Sequence, residues 1–364
     1  MWVRVSEVNR VIPVAKPHIP KTKKALTLIN EAFNRAYLTN FGPIERNLSE
    51  AIAEFIGVKK VVLVNNATFG LEMAIATATN EKREKQIFTT PYSFLATSTA
   101  IARNGNPIKF IDIKTESLLA NFSHEDLRDV VCVDTHVYGS PSSLLHINKS
   151  KNQQNIFDAA HCFDVFINGK HITNTEDISV ISCHATKLFH SVEGGIIVSK
   201  NFDLLEEIKD RSSFGKDNVD VKIAGNGKMS EIHAAIGLAN LSEINEIIEN
   251  RTELKELYNT ILTGFGFESV KVVKARSLNY YPLLFKTRYQ GDLFQTEMRN
   301  KGVEVRKYFD LSLNKKFSNQ TCENSEILAG KIICLPMSSS FTSDEIKHIH
   351  KSLTDVLTHI KDEL

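Results

Sequence analysis

The chain lacks any hydrophobic run approaching the roughly 18 apolar residues of a membrane-spanning helix, so no membrane partner is expected. Cysteine is scarce and unpatterned. The five, Cys132, Cys162, Cys183, Cys322 and Cys334, are odd in number and none forms a C-x-x-C pair. That argues against a zinc ribbon or a disulfide framework and fits a reducing, cytoplasmic setting. Excess charge of one sign is also missing. A net charge of +1 over 364 residues supplies no global field to recruit nucleic acid or an anionic membrane. An anionic small substrate would have to meet local cations instead. The first residues, MWVRVSEVNR, carry no apolar signal-peptide core. Internal repeats and long low-complexity tracts are absent.

What is present suits an ordinary two-domain protein, with 42% hydrophobic and 24% charged residues. From residue 40 onward, helical and strand-like patterns alternate. IERNLSEAIAEFIG has helical periodicity and stops at Gly57. Val61–Val64 reads as a buried strand, followed by a turn at Asn65–Thr68 into a helix through Leu71, Ile75 and Ala78. A strand at Ile87–Thr90 stops at Pro91, a helix covers Phe94–Arg103, and a strand covers Ile108–Ile113. Further strands are expected at Val130–Val133, Asn155–Phe157, Ile178–Ser182 and Gly195–Ser199. Strands separated by helices imply a mostly parallel sheet covered on both faces. The pattern changes near residue 240. A long amphipathic helix, LSEINEIIENRTELKELYNTILTGFG, leads to YYPLLFK, a helix around Leu293–Lys301, a strand at Lys331–Leu335 and a terminal helix from Ser343. The expectation is an α/β protein with a large domain at 1–240 and a smaller C-terminal α+β domain at 241–364, the long helix bridging the two.

Three segments carry chemistry. In ISVISCHATKLFHSVEGGIIVS, a strand-like run ends at His184-Ala185-Thr186-Lys187, and Glu193-Gly194-Gly195 opens a second apolar strand. A lysine at the end of a buried strand has its charged form disfavoured, which is what an imine-forming amine needs. An arbitrary lysine is far more often a solvated surface group. In Asp158-Ala159-Ala160-His161, a carboxylate sits at the C-terminal end of a strand, where open parallel sheets bind ligands. A pyridinium N–H would satisfy it and remain protonated as an electron sink. The competing reading is an Asp capping a helix that starts at Ala159. Asn66-Ala67-Thr68-Phe69-Gly70 lies between a strand and a helix, where unpaired N–H groups suit a phosphate. A simple N-cap would use the same residues.

Taken together these segments resemble the DegT/StrS family of sugar aminotransferases. The landmarks run in order: Leu38-Thr39-Asn40-Phe41-Gly42-Pro43, NNATFGLEMAIA, TTPYSFLATSTAIARNGNPIKFIDI, His136-Val137-Tyr138-Gly139, IFDAAHCFD, SCHATKLFHSVEGG and GNGKMSEIHAAIGLANL. The resemblance implies the aspartate aminotransferase (type I) fold of pyridoxal-phosphate-dependent transferases. It also implies pyridoxal 5'-phosphate as cofactor, alternating with pyridoxamine phosphate. Lys187 would be the Schiff-base lysine and proton shuttle, and Asp158 would pair with the pyridine nitrogen. His161 would lie near the ring hydroxyl, where family members carry Gln or His. Phe94 would stack on the ring, and Ala67, Thr68 and Ser182 would hold the phosphate. Asn226 would reach the phosphate of a neighbouring subunit, implying an obligate homodimer with shared active sites. Lys228, Arg306 and Lys307 are candidate cations for a diphosphate, beside Tyr308, and Phe189 or Phe94 would form an apolar wall for a C6 methyl group. Cys183 departs from the family, which has an aromatic residue there, and the stretch Thr115–Asn155 is shorter than usual.

The implied reaction takes an amino group from L-glutamate to a nucleotide-linked ketosugar. The motif combination most resembles enzymes that aminate C4 of dTDP-4-dehydro-6-deoxyglucose for surface glycans such as the O-antigen of lipopolysaccharide. The alternative is amination at C3 of the 3-keto isomer. Lys187 argues against the dehydratase branch, in which histidine replaces it. A metal-dependent hydrolase built from Asp158, His161, His136 and His184 is a rival, but it leaves Lys187 and the EGG segment without purpose. A non-catalytic regulator that binds the cofactor is another, and no basic recognition helix supports it.

Overall fold

The computed structural model describes residues 11–215, 221–265 and 270–360. The first ten residues, on which the leader reading rests, lie outside them, as does Gly266 at the end of the long-helix pattern. Two helices open the described chain, α1 (Thr22–Asn34) and α2 (Pro43–Ile56). Then come β1 (Val61–Val64), α3 (Ala67–Thr79), β2 (Ile87–Thr89), α4 (Leu95–Asn104), β3 (Ile108–Phe110), β4 (Val131–Thr135) and β5 (Gln154–Asp158). A hairpin of β6 (Phe166–Ile167) and β7 (Lys170–His171) precedes β8 (Ile178–Ser182) and β9 (Gly195–Val198). Helices α5 (Phe202–Arg211), α6 (Glu231–Leu241) and α7 (Ile244–Phe265) follow.

Seven strands form one sheet in the order β1-β9-β8-β5-β4-β2-β3. β9 alone runs against the rest, pairing antiparallel with both β1 and β8. The α/β class and the mostly parallel sheet expected above are what the structure has. β1, β4 and β9 are buried along their whole length, and β1 and β9 read as continuous apolar runs. β3 ends at Phe110, short of the expected Ile113, which makes only an isolated bridge to Ala120. Helices α1 and α5 and the small hairpin were not anticipated.

Two landmarks distant in sequence form one device. Glu231 is buried, and its carboxylate accepts the N–H groups of Ile44 and Glu45 at 2.9 and 2.8 Å, capping α2. A Cβ at Gly42 would lie 2.4 Å from that carboxylate, so a larger residue there would have to displace the cap. The Gly42-Pro43 and Ser230-Glu231 motifs therefore fix α2 against α6.

A second, antiparallel sheet has the order β10-β11-β13-β12, from β10 (Val270–Val272), β11 (Tyr281–Phe285), β12 (Arg306–Lys307) and β13 (Ile332–Leu335). Around it lie α8 (Arg288–Asn300), α10 (Glu323–Leu328) and α11 (Ser343–His359), while the short α9 (Asn314–Phe317) packs through Phe317 beside Ile108 and Phe110 of the large sheet. Helix α7 joins the cores. Ile244 and Ile247 pack in the cluster around α2 and α6, and Leu254, Tyr258 and Ile261 pack under the second sheet. The segment around Ile12 also joins this second core, bonding Gly302 and Glu304 through its backbone.

Candidate active site

A cavity of about 320 Å³ opens where β4, β5 and β8 end and α3 begins. Its walls include Ala67, Thr68, Phe94, Asp158, His161, Ser182, Lys187, Arg306 and Tyr308. This is the carboxyl edge of a parallel sheet, the usual ligand position for such folds.

Asp158 ends β5 and is 5% exposed. One carboxylate oxygen accepts the Thr97 hydroxyl at 2.6 Å and the other the Ala160 N–H at 3.1 Å. Burial raises its pKa, against the Thr97 hydrogen bond, which lowers it. No helix starts at Ala159, so the helix-cap reading of Asp158 fails. Thr97 belongs to a hydroxyl chain, with Ser93 2.7 Å from both Thr97 and Thr135. Because an ionised carboxylate only accepts, Thr97 donates to Asp158, and the chain runs Thr135 to Ser93 to Thr97.

Lys187 lies in the loop between the antiparallel strands β8 and β9. Desolvation lowers its pKa, against raising contributions from Tyr308 and Asp158. Its Nζ donates to the Tyr280 hydroxyl at 3.2 Å. His161 is pushed well below the usual histidine range, first by burial and then by the charge of Lys187. Its Nδ1 has no protein partner, and its ring stands edge-on to Tyr280 at 4.6 Å. Ala67 and Thr68 open α3, whose N-cap is Asn66, bonded to Phe69 N–H at 2.8 Å. Their own N–H groups have no partner within the helix. Gly195 explains part of the EGG segment, since any Cβ there would strike the Ala67 backbone at 2.9 Å. Gly194 lines the cavity, and a Cβ there would lie 3.2 Å from the Cβ of buried Cys183. Phe94, 58% exposed, stands at the mouth.

Arg306 and Tyr308 come from the second sheet. Arg306 Nη1 donates to the Tyr308 hydroxyl at 3.3 Å, and its other end pairs with Glu304 at 2.7 Å. Asn226 and Lys228 do not line the cavity of their own chain. They bridge to Ser213 and Val64 through their backbones, and Lys228 Nζ bonds the Asn226 side chain at 2.6 Å.

Two expectations are corrected. Phe189 is not a cavity wall; it is 1% exposed and stacks on Phe163 at 4.2 Å within the core. Lys307 is not a free cation at the site, because its nearly buried amine is engaged by Asp292 and by Asp310 at 3.4 Å. His136 lies behind the site rather than in it, stacked on Phe157 and accepting the Ser142 N–H at 3.0 Å. Among the described residues, no three His, Cys, Asp or Glu side chains converge into a metal-holding group. The ligand set of the hydrolase reading therefore does not assemble. Sequence reasoning missed Tyr280, Thr97, Ser93 and Thr135. Only the spacing of Ser93 and Thr97, four residues apart across the start of α4, offered a signal.

The site fits a phosphorylated, protonated pyridine. It has a helix N-terminus, a buried carboxylate in no salt bridge among the described residues, an imidazole nitrogen without a hydrogen-bond partner and a desolvated amine facing one space. Comparison with known proteins adds the following. Residues 21–354 match the DegT/DnrJ/EryC1/StrS aminotransferase family. A dTDP-4-amino-4,6-dideoxy-D-glucose transaminase of Shigella dysenteriae is 30% identical, over 96% of this chain and 100% of that protein. A UDP-4-amino-4,6-dideoxy-N-acetyl-beta-L-altrosamine transaminase of Campylobacter jejuni is 27% identical, over 86% of this chain and 89% of the other. The crystal structure of DesI in the presence of its TDP-sugar product superposes with a TM-score of 0.86 at 24% identity, covering 98% of this chain and 95% of DesI. That last likeness speaks to the fold.

Proposed function

Because the chain belongs to the DegT/DnrJ/EryC1/StrS aminotransferase family, we propose that it moves an amino group from L-glutamate to C4 of a nucleotide-linked 4-keto-6-deoxyhexose, dTDP-4-dehydro-6-deoxyglucose. The observation that carries this reading is one cavity joining Lys187, an amine whose charge burial disfavours, to Asp158 at a parallel-strand end. The C4 position is supported by the relatives, whose names both specify a 4-amino-4,6-dideoxy sugar.

Pyridoxal 5'-phosphate would supply the electron sink and carry the nitrogen between the two substrates. The chain supplies the rest. Ala67, Thr68 and Ser182 hold a phosphate at the positive end of α3. Asp158 would accept the pyridine N–H and keep that nitrogen protonated, His161 would orient the ring through its hydroxyl, and Phe94 would cover one ring face. Lys187 would hold the cofactor through its amine and, when that amine is free, would carry a proton between two carbons. Arg306 and Tyr308 meet the nucleotide-linked sugar. Asn226 and Lys228, which lie outside their own cavity, serve the cavity of a second copy in a homodimer. Five buried free thiols suit a cytoplasmic enzyme.

The test is incubation with L-glutamate and either the 4-keto or the 3-keto dTDP-sugar, with NMR locating the new amine. Amination at C4 and release of 2-oxoglutarate are expected; exclusive C3 amination, or none, refutes the assignment. Mixing inactive Lys187→Ala with inactive Asn226→Ala should restore activity through hybrid dimers, and mixtures as dead as their components would remove the shared site.

A further inference from the structure

Beside the lysine stands a residue that none of these roles uses. Tyr280 immediately precedes β11, and its hydroxyl lies 3.2 Å from Lys187 Nζ. Its carrier segment is held from several sides. Tyr138 offers its carbonyl to the N–H groups of Arg276 and Ser277, at 3.0 and 3.1 Å. Asp164 accepts the Ser277 hydroxyl and the Leu278 N–H, at 2.9 and 2.6 Å, and buried Arg251 donates to the Leu278 carbonyl at 3.1 Å. Asn279 then ties the segment to both catalytic loops. Its Oδ1 accepts the Leu188 N–H at 2.7 Å, and its Nδ2 donates to the His161 carbonyl at 3.3 Å. One neighbour of Tyr280 is thus stapled to the residue after Lys187 and to the residue opposite it. The Tyr280 ring is wedged edge-on among His161, Tyr138 and Tyr308, with centroids at 4.6, 6.0 and 4.9 Å. So many constraints on one side chain fix the oxygen-to-amine distance rather than leaving it to a mobile rotamer.

We propose that Tyr280 is a further catalytic residue: its hydroxyl holds the Lys187 amine in the orientation from which it transfers protons. The inference rests on the reading of Lys187 as the reacting amine. A primary amine acts as a base through one lone pair, and donating an N–H to a fixed oxygen aims that lone pair. In the glutamate half-reaction the proton would leave the nitrogen-bearing carbon of glutamate, become the third N–H of Nζ and be returned by Nζ to the carbon on the cofactor side of that nitrogen. The C–H electron pair stays on the carbon side. Burial raises the Tyr280 pKa above its ordinary range, so the phenol keeps its own proton throughout. Its oxygen accepts from the ammonium and steadies the charge while Lys187 carries the extra proton.

The test is Tyr280→Phe, which keeps the ring contacts and removes the oxygen. Loss of one hydrogen bond to a charge-bearing group is expected to lower kcat roughly tenfold to a hundredfold. The KM for the ketosugar should hold, and the kinetic isotope effect with α-deuterated glutamate should rise. In the cofactor-free full chain, acetic anhydride labelling of Lys187 as a function of pH, read by peptide mass spectrometry, should show a lower midpoint, because an acceptor for the ammonium is gone. An unchanged isotope effect and labelling midpoint in a folded variant overturn the proposal. Should Tyr280→Phe not fold, Asn279→Ala loosens the carrier and is expected to give the same midpoint shift to a smaller degree; no shift there also overturns it. Failure of the Lys187 reading is separately visible, since Lys187→Ala would then still turn over.

Discussion

The two sides of the cavity are built differently. On the large-sheet side, Asp158, His161 and Lys187 sit at strand ends or in tight loops, and burial acts against the charged form of each. On the small-sheet side, Arg306 stays charged, half exposed and paired with Glu304, and Tyr308 stands beside it. A desolvated carboxylate and amine are costly to build and are useful where charge must be placed or moved. A half-exposed guanidinium costs little and suits a hydrated anion such as a diphosphate. The contrast assigns chemistry to the first side and recognition to the second. It predicts that substitutions on the first side, and of Tyr280 where it touches Lys187, act on kcat, and those of Arg306 and Tyr308 on KM.

The largest effect should come from Lys187→Ala. With the proposed proton carrier gone, kcat should fall roughly a thousandfold or more. Absorbance near the cofactor band together with single-turnover kinetics would show bound cofactor that does not react. Turnover within tenfold of the parent would break the division at its strongest point. Asp158→Asn comes next. It keeps the shape and the Thr97 hydrogen bond but removes the ionic partner, and the expected loss is about a hundredfold in kcat. Near-normal kcat would mean that the buried carboxylate is structural. Arg306→Ala tests the other side. Removal of a half-exposed cation should raise the ketosugar KM about tenfold and leave the glutamate half-reaction unchanged. A fall in kcat for both half-reactions would dissolve the contrast.

The large-sheet side was legible because each of its groups lies in a short segment that follows a strand pattern. Asp158 ends β5, Ala67-Thr68 open the helix that follows β1, and Lys187 lies in the loop that follows β8, and those strand ends can be read from periodicity. The ends of β1 and β8, and the Gly57 stop of α2, fell where the pattern placed them. The small-sheet side was less legible, because its residues reach the site through tertiary packing. Tyr280 is set by Asp164, Arg251 and Asn279, whose partners lie up to 118 positions away. Phe189 and Lys307 were misplaced for a related reason. An aromatic or a lysine near a motif says nothing about which way its side chain points, and here a stacked Phe163 and two aspartates decided that. Helices α1 and α5 lacked a motif to draw attention to them, although Asn201 caps α5 through its side chain.

The smallest effect, and the one that separates orientation from acid–base chemistry on the large-sheet side, concerns His161. Its buried ring is held neutral, so it contributes no titration to catalysis in the physiological range. His161→Gln keeps a hydrogen-bonding group and should lower kcat by less than about tenfold. The acid limb of the pH–rate profile should not move. The same burial makes an opposite demand on stability. The unfolded chain binds a proton at this site below the ordinary value of 6.5, whereas the folded chain does not until much lower pH. The stability conferred by the neutral ring is therefore complete above that value and drains as pH falls, by about 1.4 kcal/mol per pH unit for one proton. His161→Gln has no such proton to bind. Urea denaturation of both cofactor-free proteins between pH 7.5 and pH 5 should show the wild type losing stability relative to the variant. Carboxylates common to the two proteins cancel in the difference. Parallel curves, or an acid limb displaced in the variant, would mean that His161 titrates in the folded protein and belongs with the proton-carrying groups.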